Sequence, residues 1–156
     1  MPDEIDRYGP LGFYHLAEDF YRAAVHSASL KDAKPRLHYN LVLYHLHTHS
    51  IELTLKAFLR AKSIHVKELK NKFSHGMMGL MAVATERKLK VTKPKRSLQI
   101  LERLDQLGKV QTFRYFEAGF LSLPTLDEVR QLNERMLSSV RPACIATLKV
   151  APSSGP

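Results

Sequence analysis

The chain has 156 residues, with 24 Lys+Arg against 15 Asp+Glu and so a formal charge of +9 at pH 7. At that length a domain buries roughly two-thirds of its unfolded surface, and 44% hydrophobic with 25% charged residues excludes wholesale disorder and a fibrous protein. The single cysteine, Cys144, excludes a disulfide scaffold and any multi-cysteine zinc site.

The hydrophobic pattern is helical throughout, with apolar residues recurring at three and four and no sustained alternation. A first helix runs from about Leu11 to Leu30, with Phe13, Leu16, Ala17, Phe20 and Ala24 on one stripe. Pro35 then breaks the chain. A second helix, from about Leu37 to Lys62, is apolar over most of its circumference: Leu37, Leu41, Tyr44, Thr48, Ile51, Leu55 and Phe58 form one seam, and Leu43, Leu46, Ser50, Leu53 and Ala57 another. A helix buried on two sides is central in its bundle.

The third helix is expected to start near Ser74 as cap and to continue through Met77, Leu80, Met81 and Ala84 to about Lys88. Thr92 followed by Pro94 opens a fourth, carrying Leu98, Leu101, Leu104 and Leu107, with Gly108 as its stop. A non-periodic stretch from Lys109 to Pro124 contains Phe113, Arg114, Tyr115 and Phe116, read as a loop packing its rings onto the bundle rather than as a stacking platform for bases. Thr125-Leu-Asp-Glu128 fits a capping box and starts the fifth helix, with Val129, Leu132, Met136 and Val140 at helical spacing. The expected fold is an all-α, up-and-down bundle of about five helices, one domain over residues 1–150 with a disordered tail at 151–156. No apolar run approaches the roughly 20 residues that span a bilayer, and the start, MPDEIDRYGP, is acidic and polar. The expectation is a cytoplasmic protein with no membrane partner.

The charge is concentrated. Between residues 56 and 96 stand twelve basic side chains against only Glu68 and Glu86, and the remainder of the chain is nearly neutral. A concentrated positive field attracts polyanions. Lys88, Lys90, Lys93, Lys95 and Arg96 are therefore the candidate nucleic-acid contacts, weighed against a merely solvated surface.

A second constellation lies in the second helix. At 100° per residue, His38, His45, His49, Glu52, Lys56 and Arg60 fall within an arc of about 80°. A bundle-internal network fixing helix register is one reading of this line, and a phosphate or nucleotide pocket using Lys56, Arg60 and a histidine as donors is another. His45 and His49, four apart with Glu52 beyond, also have ligand spacing. All eight histidines precede residue 76, however, so such pairs are cheap, and the expectation is no metal and no cofactor.

The run His49-Ser-Ile-Glu-Leu-Thr-Leu-Lys-Ala-Phe-Leu59, a basic loop, and then Lys72-Phe-Ser-His-Gly76 opening the next helix resemble the HEPN superfamily. Phe113-Arg-Tyr115 and Leu123-Pro124 are similar to the tail of one bacterial group of it. The resemblance covers about residues 11 to 140, with Ser74-His75-Gly76-Met77 standing where Gly-His-Asp-Leu is usual. It implies a compact helical bundle, commonly a homodimer, that serves as a metal-independent endoribonuclease, as a nucleotide-binding module, or as the partner of a nucleotidyltransferase. For this chain it implies His49, Glu52, Lys56 and His75 as a polar, ligand-binding cluster joining the second and third helices.

Nuclease members use an Arg-x(4 to 6)-His motif, a histidine to move protons and an arginine to stabilise phosphorane charge. Arg60-Ala-Lys-Ser-Ile-His65 is the one match, making Arg60 and His65 the catalytic candidates, although a chain of this composition gives roughly 1.7 such matches by chance. The function expected is binding of RNA or nucleotide in a stress, defence or toxin–antitoxin setting.

Overall fold

The computed structural model describes residues 8–30, 37–65, 67–68, 76–109 and 123–149. Five helices account for most of them: α1 (Pro10–Ser29), α2 (Leu37–Ala61), α3 (Met77–Glu86), α4 (Pro94–Lys109) and α5 (Leu126–Lys149). Among the described residues there is no strand, and no helix is long and apolar enough to cross a membrane. The all-α bundle expected from the periodicity is what forms. The expectations for Ser74, His75, Phe113, Arg114, Tyr115, Phe116 and the tail lie outside the described residues.

α2 is the central helix, packed most closely against α1 and then α5. Ile51, Leu55, Ala57 and Leu59 are fully buried along it. The buried cluster continues through Ala17 of α1, Leu80 and Ala84 of α3, Leu101 and Leu104 of α4, and Val129, Leu132, Met136 and Val140 of α5. Direction follows from the cross-contacts. Ala17 meets Ser50 while Tyr21 faces His47, so α1 and α2 are antiparallel. Tyr44 bonds the Pro124 carbonyl and His47 meets Asn133, so α2 and α5 run the same way. Met77 at the start of α3 meets Asp105 late in α4, so α3 and α4 are antiparallel.

The helix ends show where local signals suffice. At α5 the capping box forms as the sequence predicts: Glu128 N–H donates to Thr125 Oγ1 at 3.2 Å, and Thr125 N–H donates to Glu128 Oε2 at 3.0 Å. α5 then runs through Pro142, well past Val140, to Lys149. Pro94 takes the first position of α4 as expected, but the residue before the helix is Lys93, not Thr92, with Ser97 N–H donating to the Lys93 carbonyl. Thr92 serves instead through its carbonyl, which accepts from Ser97 Oγ. Gly108 does not stop α4, which runs one residue further.

α3 departs most from expectation. It begins at Met77, with Gly76 before it at φ +98°, and its first N–H is capped from a different helix: Met77 N–H donates to Asp105 Oδ1 of α4 at 2.9 Å. A carboxylate at a helix N-terminus answers both the unpaired N–H groups and the positive end of the helix dipole. Only glycine allows that approach, because a Cβ at position 76 would stand 2.2 Å from the same oxygen. Gly76→Ala is expected to lower the unfolding free energy by roughly 2 kcal/mol in urea titration. Gly79→Ala, where a Cβ meets nothing within 4 Å, is expected to raise it by a few tenths to about 1 kcal/mol.

Candidate functional site

From His45 to Arg60 the predicted polar line of α2 forms and is partly solvated rather than enclosed in the bundle; the His38 side chain lies outside what is described. Lys56 Nζ bonds Glu52 Oε1 at 2.6 Å, with the two side chains 28% and 35% exposed. The pair closes on its own helix, one turn apart. A half-solvated ion pair of this kind contributes only a few tenths of a kcal/mol. His45 is exposed and His49 half-buried. The His49 ring stands edge-on to Phe20 of α1 at 4.4 Å between centroids and parallel to the His45 ring at 6.4 Å. Burial, as the largest cause, pulls the His49 pKa below the usual imidazole value.

Arg60 ends the line. Its guanidinium Nη1 donates to the Ile64 carbonyl at 3.4 Å, while its Nε is buried without a hydrogen-bond partner. His65 follows directly and is exposed. The Arg60 guanidinium thus reaches the residue before His65, at the α2 C-terminus where a cation also answers the negative end of the helix dipole. Among the described residues no group of three or more His, Cys, Asp or Glu converges as a metal would need. Cys144 is fully buried, and burial pushes its thiol up to about 11, which leaves it inert as a nucleophile.

A buried polar node that the sequence reading passed over lies on the other side of α2. Ser50 Oγ donates to the Ala17 carbonyl of α1 at 2.7 Å and meets the Asn133 amide of α5 at 3.1 Å. The other end of that amide is 3.1 Å from His47 Nδ1. Thr54 closes the row by donating to the Ser50 carbonyl. His47, Ser50, Thr54 and Asn133 are all buried. Beside the node, Tyr21 of α1 bonds Glu134, which in turn pairs with Arg130 at 2.5 Å. His47, Ser50 and Thr54 fall within about 60° of one another on the helix, a row of uncharged polar residues that helical spacing does reveal once the charged line is set aside.

The basic segment takes shape as the turn between α3 and α4. α3 ends in a Schellman motif: Leu89 N–H donates to the Ala84 carbonyl at 2.9 Å and Lys88 N–H to the Thr85 carbonyl at 3.0 Å. Leu89 is buried as the hydrophobic plug of that motif. Lys88 holds the left-handed position at φ 71°, where glycine is the favoured residue, and Lys93 is left-handed too at φ 51°. Arg87, Lys88, Lys90, Lys93, Lys95 and Arg96 are all exposed. Arg96 is spent on structure, pairing with Glu128 at 2.5 Å and bonding Gln99. This contact, together with the Thr125 backbone, holds the Glu128 carboxyl below its usual pKa. Among the described residues no ion pair ties Lys88, Lys90, Lys93 or Lys95 to an acid.

No protein-family model matches the chain, and neither the curated proteins nor the solved structures compared with it give a match.

The node makes an acid-stability prediction. Burial first, and Arg130 second, lower the His47 pKa from 6.5 to about 4, against a smaller opposing effect of Glu134. The unfolded chain therefore binds the proton more readily than the folded one between those values. Stability is expected to be full above pH 6.5 and to fall as pH drops toward 4, by up to about 3 kcal/mol. Urea midpoints measured against pH should show this slope, and His47→Gln should flatten it.

Proposed function

We propose that this chain is an RNA-binding module that holds a single strand by its phosphates on the turn between α3 and α4. The observation that carries the reading is the residue at the end of the Schellman motif. Left-handed backbone at a non-glycine residue costs roughly 1 kcal/mol or more; among the described residues Ser63, Lys88 and Lys93 hold it, and the two on this turn are exposed lysines. Lys88, Lys90, Lys93 and Lys95 are exposed on one short turn with no acid paired to them among the described residues, a concentration of positive charge that suits a polyanion. The resemblance to HEPN proteins supports the same class of partner from the α2 motif.

Binding of a fluorescent single-stranded RNA is expected to weaken steeply with salt, and changing Lys88, Lys90, Lys93 and Lys95 together to Gln should reduce the slope of log K against log salt by about 3. Lys88→Gly divides function from stability: it should stabilise the fold by roughly 1 kcal/mol while weakening RNA binding. RNA binding without a salt slope, or unchanged in the four-lysine variant, would remove the turn as the binding surface.

The second reading is a metal-independent endoribonuclease built on Arg60 and His65, favoured by an exposed histidine that directly follows the residue the Arg60 guanidinium reaches. It predicts RNA ends bearing 2′,3′-cyclic phosphate, formed in excess chelator and lost in His65→Ala. Absence of both binding and cleavage would leave the protein-interaction reading, a homodimer docked to a nucleotidyltransferase.

A further inference from the structure

One arginine lies outside the basic segment in sequence and joins it in space. Arg135 stands on α5 with its side chain partly buried. Its Nη2 donates to Ser97 Oγ at 3.3 Å, and Ser97 Oγ in turn donates to the Thr92 carbonyl at 3.1 Å. The guanidinium is thereby held against the end of the α3–α4 turn, where Thr92 precedes the exposed Lys93. Its Nε is buried without a hydrogen-bond partner. Among the described residues no ion pair ties Arg135 to an acid. Its neighbours differ: Arg130 on the same helix is spent on Asp127 and Glu134, and Arg96 on Glu128.

A partly desolvated cation that no acid answers is costly to keep, and here it adds to the charge of Lys88, Lys90, Lys93 and Lys95. A phosphate supplies the missing counter-charge. A guanidinium engages it through paired N–H donors, where a lysine offers only a point charge. The bond to Ser97 is long against the roughly 2.9–3.0 Å usual for N–H···O, so it places the group without consuming it. We propose that Arg135 is a further phosphate contact, and that the surface for the strand runs from the α3–α4 turn across the start of α4 onto α5. This rests on the RNA reading above and adds to it a residue from a different helix.

Titration of the full chain with a fluorescent single-stranded RNA over a salt series tests it, each variant being checked for folding by urea titration. Arg135→Gln should weaken binding by roughly threefold or more at low salt and lower the slope of log K against log salt by about 0.7, the share of one phosphate on a single strand. Arg135→Lys keeps the charge and should restore the slope. Ser97→Ala removes the anchor but no charge and should keep the slope as well. Arg22→Gln, at an exposed arginine on α1, should leave binding within twofold of the parent. Arg135→Gln binding like the parent, while the four-lysine variant loses affinity, would overturn this inference and leave the turn in place. A loss in Arg135→Gln that Arg135→Lys fails to rescue and Ser97→Ala reproduces would overturn it too, since Arg135 would then only brace the turn. Unchanged binding in the four-lysine variant would remove the surface itself and this inference with it.

Discussion

The bundle depends on one short polar contact inside an otherwise apolar interface: the Ser50 hydroxyl against the Ala17 carbonyl on one side and the Asn133 amide on the other. α2 is buried against two helices at once, and apolar packing by itself is non-directional. A ridge of leucines would tolerate sliding by a turn. A buried hydroxyl, amide and imidazole do not, because any slip leaves polar groups in the core without partners, at a cost of about 1–3 kcal/mol each. The node fixes the register of α1, α2 and α5 together. Tyr14 and Tyr44 extend the same device outward, spending their hydroxyls on the carbonyls of Leu137 and Pro124.

With those three helices locked, α3 and α4 need only short-range devices to dock. α3 is a ten-residue helix that packs Met77, Leu80, Met81 and Ala84 into the core but is too short to be stable alone. It is held at its start by Asp105 across from α4 and at its end by the buried plug of Leu89. α4 is tied in turn to α5 by Arg96 with Glu128 and by Arg135, whose Nη2 donates to Ser97 Oγ. The α3–α4 turn therefore sits on a scaffold anchored at both flanks. Its lysines can keep left-handed backbone that a looser turn would relax.

The helices themselves were legible because their signals are local. Apolar residues at three and four marked α1, α2 and α5, Pro94 marked the start of α4, and Thr125 with Glu128 marked the start of α5. What the sequence hid was non-local. Asp105 caps a helix that begins 28 residues earlier in the chain, and no window around residue 76 contains that information. The polar node was hidden for a different reason: the charged line of Glu52, Lys56 and Arg60 dominated the helical wheel, so Ser50 read as a small member of an apolar seam. The charged line turned out to be partly solvated, and the uncharged one carries the buried interactions. Side-chain geometry was also beyond the sequence, since spacing put His45 and His49 on one face without showing that their rings are parallel.

The account places a basic, strained turn on a rigid three-helix frame, and its central claim is that this turn is where the polyanion sits. Amide chemical-shift mapping with a short single-stranded RNA tests that claim most directly. The account predicts perturbations concentrated in residues 87–96, with Ser50 and Asn133 silent because the node stays closed. Perturbations centred on α2 between His45 and Arg60, with residues 87–96 unmoved, would contradict it.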